Sequence, residues 1–267
     1  MNDTMKKPVY FKPSVELERY EAKYVIPFQL IQPIQDFIQP FCVPDIHCEA
    51  ESNEYLITTL QLDTPNLDLF KAKREEALAR FKLRIRTYGT NKGEPVFLEI
   101  KRKIKDVIVK TRSAISSEMW PLVAESFEKG EMKNLPFRNM TEENNYINFF
   151  QLTKQLGARP VVLIRYKRRA YQGKNERYSR VTFDRKMCYQ PMRRWNIYPE
   201  KFHWWSMDTL EDMNRPFAGA ILELKTYSDV PLWMVELTER FNLERVGFSK
   251  YYTAVRKEII FNGGYVL

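Results

Sequence analysis

The residues best placed to do chemistry in this chain are basic, and they recur at every second position. In Lys82-Leu83-Arg84-Ile85-Arg86 the cations share one parity, and Leu83 and Ile85 the other. Glu99, Lys101 and Lys103 likewise stand opposite Leu98 and Ile100, Arg180, Thr182 and Asp184 opposite Val181 and Phe183, and Glu223 and Lys225 opposite Leu222 and Leu224. Glu21 and Lys23 share a parity near the start of the chain, as do Tyr166, Arg168 and Ala170 further on. Side chains two apart on a strand point the same way, so each stretch predicts a strand with one charged and one greasy face.

The plain reading of such alternation is an antiparallel sheet with one solvated side. The composition of the charged face argues otherwise. Its cations are Lys23, Lys82, Arg84, Arg86, Lys101, Lys103, Arg168, Arg180 and Lys225, nine against the four carboxylates Glu21, Glu99, Asp184 and Glu223. Like charges opposite one another weaken a sheet, so such a surplus points to an anion that the sheet surrounds. The greasy faces have helical segments to cover them, which leaves the charged face inside a curved or closed sheet. Arg forks grip phosphate oxygens in pairs and Lys supplies compact point charges. A lone carboxylate among them either steadies a cation or ligates a divalent metal that bridges phosphates.

Elements that would carry these faces follow from the pattern. Strands are expected over residues 17–26, 55–62, 81–88, 96–103, 104–113, 161–171, 178–187 and 220–227. Helices are expected over 27–41, with a kink at Pro33, from Ser117 through Phe127, over 141–156, and over 231–242. Residues 66–79 read as a short helix or a charged ribbon, and residues 195–217 as aromatic and irregular. Residues 1–15 read as a polar tail, and 16–267 as one α+β domain. The expected fold is an antiparallel closed β-barrel with helices packed on its outside.

The whole-chain balance agrees with an anionic partner. The 267 residues hold 43 Lys and Arg against 34 Asp and Glu, a net charge of +9. Only His47 and His203 are available for a His-based zinc site or triad, so both are poorly supported. Cys42, Cys48 and Cys188 lack CxxC spacing, and residues 1–10 have no apolar leader, so a cytoplasmic setting is expected. No apolar run is long enough for direct membrane insertion, although a membrane partner stays open. Nucleic acid is not expected, because aliphatic rather than aromatic side chains alternate with the cations. Phe202, Trp204 and Trp205 are read as core packing before adenine stacking.

Eight blocks in order carry a resemblance. They are Arg19-Tyr20-Glu21-Ala22-Lys23-Tyr24, Leu62-Asp63-Thr64-Pro65, Lys82 through Gly89, Phe97 through Lys103, Tyr166 through Tyr171, Arg180 through Asp184, Leu222 through Lys225, and Phe248-Ser249-Lys250-Tyr251. Together they resemble the polyphosphate polymerase domain of the vacuolar transporter chaperone (VTC) family, in the triphosphate tunnel metalloenzyme, or CYTH-like, superfamily. The superfamily signature Glu-x-Glu-x-Lys has Arg19 in its first place here, while Glu21 and Lys23 remain. The resemblance implies a phosphate tunnel and transfer of the γ-phosphoryl group of ATP to polyphosphate. The alternatives it leaves are hydrolysis of tripolyphosphate or a nucleoside triphosphate, and plain polyphosphate binding. It further implies that Lys23, Arg84, Arg86, Lys101, Arg168 and Arg180 act on the transferring phosphates, and that Lys82, Lys103, Tyr166, Lys225 and Lys250 hold the chain. Glu223 would anchor Mn²⁺ or Mg²⁺.

Overall fold

A computed structural model describes residues 20–48, 54–89, 93–104, 107–176, 178–198, 203–227 and 229–261. The expected tail, Arg19 and Phe202 lie outside these. The alternating stretches all form strands: β1 (Tyr20–Pro27), β3 (Tyr55–Asp63), β4 (Ala79–Tyr88), β5 (Val96–Ile104), β6 (Val107–Ile115), β7 (Arg159–Gly173), β8 (Ser179–Pro191) and β10 (Gly219–Thr226). They make one curled antiparallel sheet in the order β1-β10-β8-β7-β3-β4-β5-β6. Two short strands sit off this path: β2 (Cys42–Pro44) on β7, and β9 (Trp205–Ser206) on β8.

The expected closed barrel is corrected to a curled sheet with two edges, because among the described residues no backbone ladder joins β1 to β6. Side chains and a strap of chain occupy that side instead. Lys101 on β5 reaches Glu21 on β1 at 3.1 Å. The chain at Arg245 and Val246 bridges to β1, with the Val246 amide donating to the Lys23 carbonyl at 2.8 Å. Backbone closure needs two facing ladders of amides, whereas here long ionic side chains span the gap.

The greasy parity faces outward beneath two groups of helices. Helices α3 (Trp120–Lys129) and α4 (Met140–Gln155) lay Val123, Phe127, Phe149 and Phe150 over Leu83, Ile85, Leu98 and Ile100. Helices α1 (Ile31–Ile38) and α6 (Leu232–Arg240) set Ile34, Ile38, Trp233 and Leu237 against Val181, Phe183, Leu222 and Leu224. Helices α2 (Asp68–Arg74), α5 (Leu210–Met213) and α7 (Lys250–Phe261) instead pack Phe70, Met213, Ala254 and Val255 against Ile57, Ile164 and Ile221, which share the inner face with the cavity lining. Each fully buried Leu, Ile or Phe contributes roughly 1.5–3 kcal/mol, so this outer layer holds the charged lining in place.

Several local expectations change. Pro33 does not kink a helix: a 3₁₀ turn over Phe28–Leu30 precedes α1, and Pro33 falls in the first turn of α1, where its missing N–H is not needed. The 66–79 stretch resolves as α2, and α4 is capped by Asn139, which accepts from the Glu142 amide, rather than by Thr141. Helices α3 and α4 both stop at left-handed glycines, Gly130 and Gly157, a conformation that glycine adopts without strain. Helix α7 is not expected from the sequence at all.

Candidate active site

All twelve side chains assigned to the site from the sequence line one cavity of about 730 Å³ within the curl of the sheet. They are Lys23, Lys82, Arg84, Arg86, Lys101, Lys103, Tyr166, Arg168, Arg180, Glu223, Lys225 and Lys250. The strand registers explain the convergence. Lys82 stands opposite Lys101 and Arg84 opposite Glu99, while Lys23 faces Glu223 and Lys225 faces Arg180. Arg168 opposes Asp184 across β7 and β8. A bulge between Arg165 and Lys167 shifts the ladder there, and both Tyr166 and Arg168 line the cavity.

Two buried anionic centres organise the lining. At the first, Arg168 forks onto Asp184 at 2.6 and 2.7 Å, and Lys250 reaches the same carboxylate at 2.5 Å. Glu223 beside them meets Lys225 at 2.6 Å, Arg168 at 3.5 Å and Lys23 at 3.6 Å. Burial pushes the Glu223 carboxyl up, but Lys225, Lys23, Arg168 and Lys250 outweigh it and hold the group well below the usual carboxylate range. At the second, Glu99 is fully buried and takes Arg84 at 2.6 Å, Lys110 at 2.6 Å, Arg112 at 2.7 Å and Arg86 at 3.7 Å. Burial raises its carboxyl too, and these four cations carry it well below the ordinary value.

Between the centres runs a row of like charges. Lys82, Lys101 and Lys110 are adjacent on β4, β5 and β6, in register across both ladders. Burial pushes the Lys101 ammonium down to about 8 against the pull of Glu21. Burial likewise takes Lys110 down to about 7, against Glu99 and with the help of Arg84, Arg112 and Arg86. Lys82 falls well below the ordinary lysine value through burial and the neighbouring Lys23, Lys101 and Arg84. Three lysines side by side destabilise a sheet unless an anion lies over them.

Sequence reasoning missed several residues. Lys110 and Arg112 share a parity on β6 and line the cavity, a signal present in the 104–113 stretch but not read there. Asp45 pairs with Arg180 at 2.8 Å, and the Tyr55 hydroxyl accepts from the same guanidinium at 3.2 Å. Ser249 accepts from Lys82 at 2.9 Å and also caps the start of α7 through the Tyr252 amide. Helix α7 is held by Asp63, whose carboxylate accepts from the Tyr251 hydroxyl and from the Leu69 and Phe70 amides at the start of α2. Lys73 and Arg80 also line the cavity.

Other assignments stay peripheral. His47 and His203 are exposed, and Cys42, Cys48 and Cys188 are free thiols. Trp204 packs on the core with Arg165 over its ring at 4.5 Å, and Trp205 is exposed on β9; neither lines the cavity. No helix among the described residues is long and apolar enough to cross a membrane.

Among solved structures, the chain is similar to the PH1819 protein from Pyrococcus horikoshii OT3, with 13% identity, 90% of this chain and 99% of that chain covered, and a TM-score of 0.43. It is also similar to the putative adenylyl cyclase HpAC1 from Hippeastrum, described as having a dominant triphosphatase activity, with 14% identity, 94% and 98% coverage and a TM-score of 0.46. No curated protein sequence matches it. The family profile of the VTC domain, however, matches residues 18–259, a span that takes in all the strands and every cavity-lining cation described above. By that match the chain belongs to the VTC-domain family.

Proposed function

We propose that this protein is a polyphosphate polymerase, which transfers the γ-phosphoryl group of ATP to the end of a polyphosphate chain. Membership of the VTC-domain family supports chemistry on polyphosphate or triphosphate. The observation that carries the reading further is the cavity itself, in which cations from seven main strands and α7 converge on one space.

Phosphoryl transfer asks for alignment and charge stabilisation more than for a covalent nucleophile. Arg84, Arg86, Arg168 and Arg180 offer forks for the oxygens of the transferring group and its neighbours. Lys23, Lys82, Lys101, Lys103, Lys225 and Lys250 offer point charges along the rest of the chain, and Tyr166 a hydroxyl. The terminal oxygen of the acceptor chain then attacks the γ-phosphorus in line as ADP departs. In this reading, bound phosphate spans the β1 and β6 edges and completes a closed tunnel.

Divalent metal fits this lining only as a companion of phosphate. Among the described residues no three His, Cys, Asp or Glu side chains gather as a metal-binding cluster. Mg²⁺ and Mn²⁺ accept one or two carboxylates plus substrate oxygens, so Glu223 is the carboxylate assigned to it. Phosphate entering beside Glu223 competes for Lys225, Lys23 and Arg168, which frees the carboxylate for the ion. When bound, Mn²⁺ or Mg²⁺ supplies further neutralisation of the phosphate charge.

A reducing, cytoplasmic setting suits the three free thiols, and no nucleic acid is assigned as a partner. Incubation of the pure protein with γ-labelled ATP and Mn²⁺ or Mg²⁺ tests the proposal. A ladder of acid-labile chains supports the polymerase. Free phosphate alone replaces it with a hydrolase, and neither product leaves a polyphosphate-binding module.

A further inference from the structure

Glu99 sits in the middle of a row on three neighbouring strands, with Arg84 opposite it on β4 and Arg112 opposite it on β6. The carboxylate is fully buried, yet both of its oxygens are engaged from both sides. Oε2 takes Arg84 and Arg86, and Oε1 takes Lys110 and Arg112. Four cations thus share one anion, a ratio that leaves most of their charge uncompensated. A pair placed for stability alone is matched one to one, because every unmatched buried charge is costly.

All four cations line the cavity, while the carboxylate that joins them lies beneath. Arg84 and Arg86 project from one flank of β5, and Lys110 and Arg112 from the other. Mutual repulsion drives the two pairs apart, and Glu99 is the contact that draws both toward the strand between them. The Arg112 guanidinium is fixed further by its bond to the Tyr88 hydroxyl at 2.8 Å and by the Phe97 ring, 4.2 Å beneath its centre.

We propose that Glu99 is a positioning residue, which gathers Arg84, Arg86, Lys110 and Arg112 into one phosphoryl-binding station, separate from the station around Arg168, Lys250 and Glu223. The proposal rests on the reading of the cavity as a tunnel for linear phosphate chains. Its consequence runs against simple electrostatics. Removing a negative charge from an anion-binding cavity should tighten binding, whereas removing the group that aims four cations should loosen it.

Lys110 supplies a second readout. Among the described residues it faces Glu99 and Lys101 on β5, Arg84 and Arg86 on β4, and Arg112 on its own strand. Of these, only Glu99 favours its charged form. Without that carboxylate the ammonium gives up its proton at lower pH, and any binding that depends on it declines earlier on the pH scale.

The test is calorimetric titration of tripolyphosphate into the full chain, wild type beside Glu99→Gln, from about pH 6 to 9, with a thermal melt of each protein. The expected result is a folded variant with affinity reduced by about tenfold or more and an affinity–pH curve displaced to lower pH. Binding as tight as wild type or tighter overturns the proposal, and so does a weaker affinity with an unmoved pH curve. Should Glu99→Gln fail to fold, Glu99→Asp keeps the charge but withdraws it by one methylene. Its affinity should drop severalfold, and an unchanged affinity is equally fatal. Wild type that ignores tripolyphosphate removes the functional reading itself, and the station with it.

Discussion

Lys101 on β5 and Glu21 on β1 meet at 3.1 Å across the side of the sheet that no backbone ladder closes. Glu21 also faces Lys23 at 3.2 Å and Lys225 at 4.0 Å, so one carboxylate serves three ammonium groups. Burial pushes that carboxyl up, but Lys225, Lys101 and Lys23 keep it ionised far below its usual range. Glu21→Gln leaves those lysines short of an anion. Its stability should fall by roughly 1–3 kcal/mol and return when tripolyphosphate saturates the cavity. Thermal melts with and without the ligand check this, and an unchanged ligand-free midpoint contradicts it.

Arg84 and Arg180 come from opposite walls, and each has a carboxylate to hold it, Glu99 and Asp45 respectively. Arg84→Ala or Arg180→Ala should each weaken tripolyphosphate binding by about 1.5–3 kcal/mol and leave the fold intact. Calorimetric titration beside a melt reads both quantities. Unchanged affinity in both variants takes them out of the site.

Glu223→Gln separates two roles for that carboxylate. If it anchors metal, the variant should lose metal-dependent turnover while metal-free tripolyphosphate binding survives or tightens. If it only pairs with Lys225, Lys23 and Arg168, metal-free binding or stability should suffer first. We expect the former. Full metal-dependent activity in the variant would falsify the metal assignment.

The lysine row predicts opposite pH trends for stability and for binding. Lys110 and Lys101, lowered to about 7 and 8, and Lys82, lowered well below the ordinary value, all regain a pKa near 10.4 on unfolding. Between about pH 7 and 8.5, below the range in which the unfolded thiols ionise, the unfolded chain therefore binds more protons than the folded one, and ligand-free stability rises with pH. Lys23, raised by Glu223 and Glu21 against its burial, adds its own term only above that window. Phosphate favours the protonated lysines, so affinity should fall over the same range, and binding near pH 8 should take up protons. Titrations in buffers of different ionisation heat measure that uptake. Stability that falls with pH, or heats that do not depend on buffer, count against the row as a phosphate site.

Much of the site was legible because strand parity is a local property. Leu83 and Ile85 must face away from Lys82, Arg84 and Arg86 whatever the rest of the chain does. The surplus of cations then said which face was enclosed. What escaped was nonlocal or weakly patterned. Asp45 finds Arg180 across the sheet, and Ser249 finds Lys82 from a loop, with nothing in either segment to announce the partner. Lys110 and Arg112 alternate with Val109 and Thr111, a less emphatic greasy face than Leu83 and Ile85, and so were not counted. Among its described side chains helix α7 buries only Tyr251, Ala254, Val255 and Glu258, too sparse a stripe to stand out. Alternation also carries no information about whether two edge strands meet, which is why closure was overestimated.

The pairing of β1 with β10 sets Lys23 against Glu223, residues from opposite ends of the chain. During synthesis, therefore, the hairpins that bear Arg84, Arg86, Lys101 and Arg112 leave the ribosome long before their opposite wall exists. Such late, long-range closure is slow to fold, and the repulsion stored in the half-built wall slows it further. A polyanion that bridges both walls acts in this setting as a folding ligand, since anything bound only by the native state stabilises it by mass action. Under the proposed activity the enzyme's own product plays that part, so the amount of folded protein would rise and fall with the cell's store of phosphate chains.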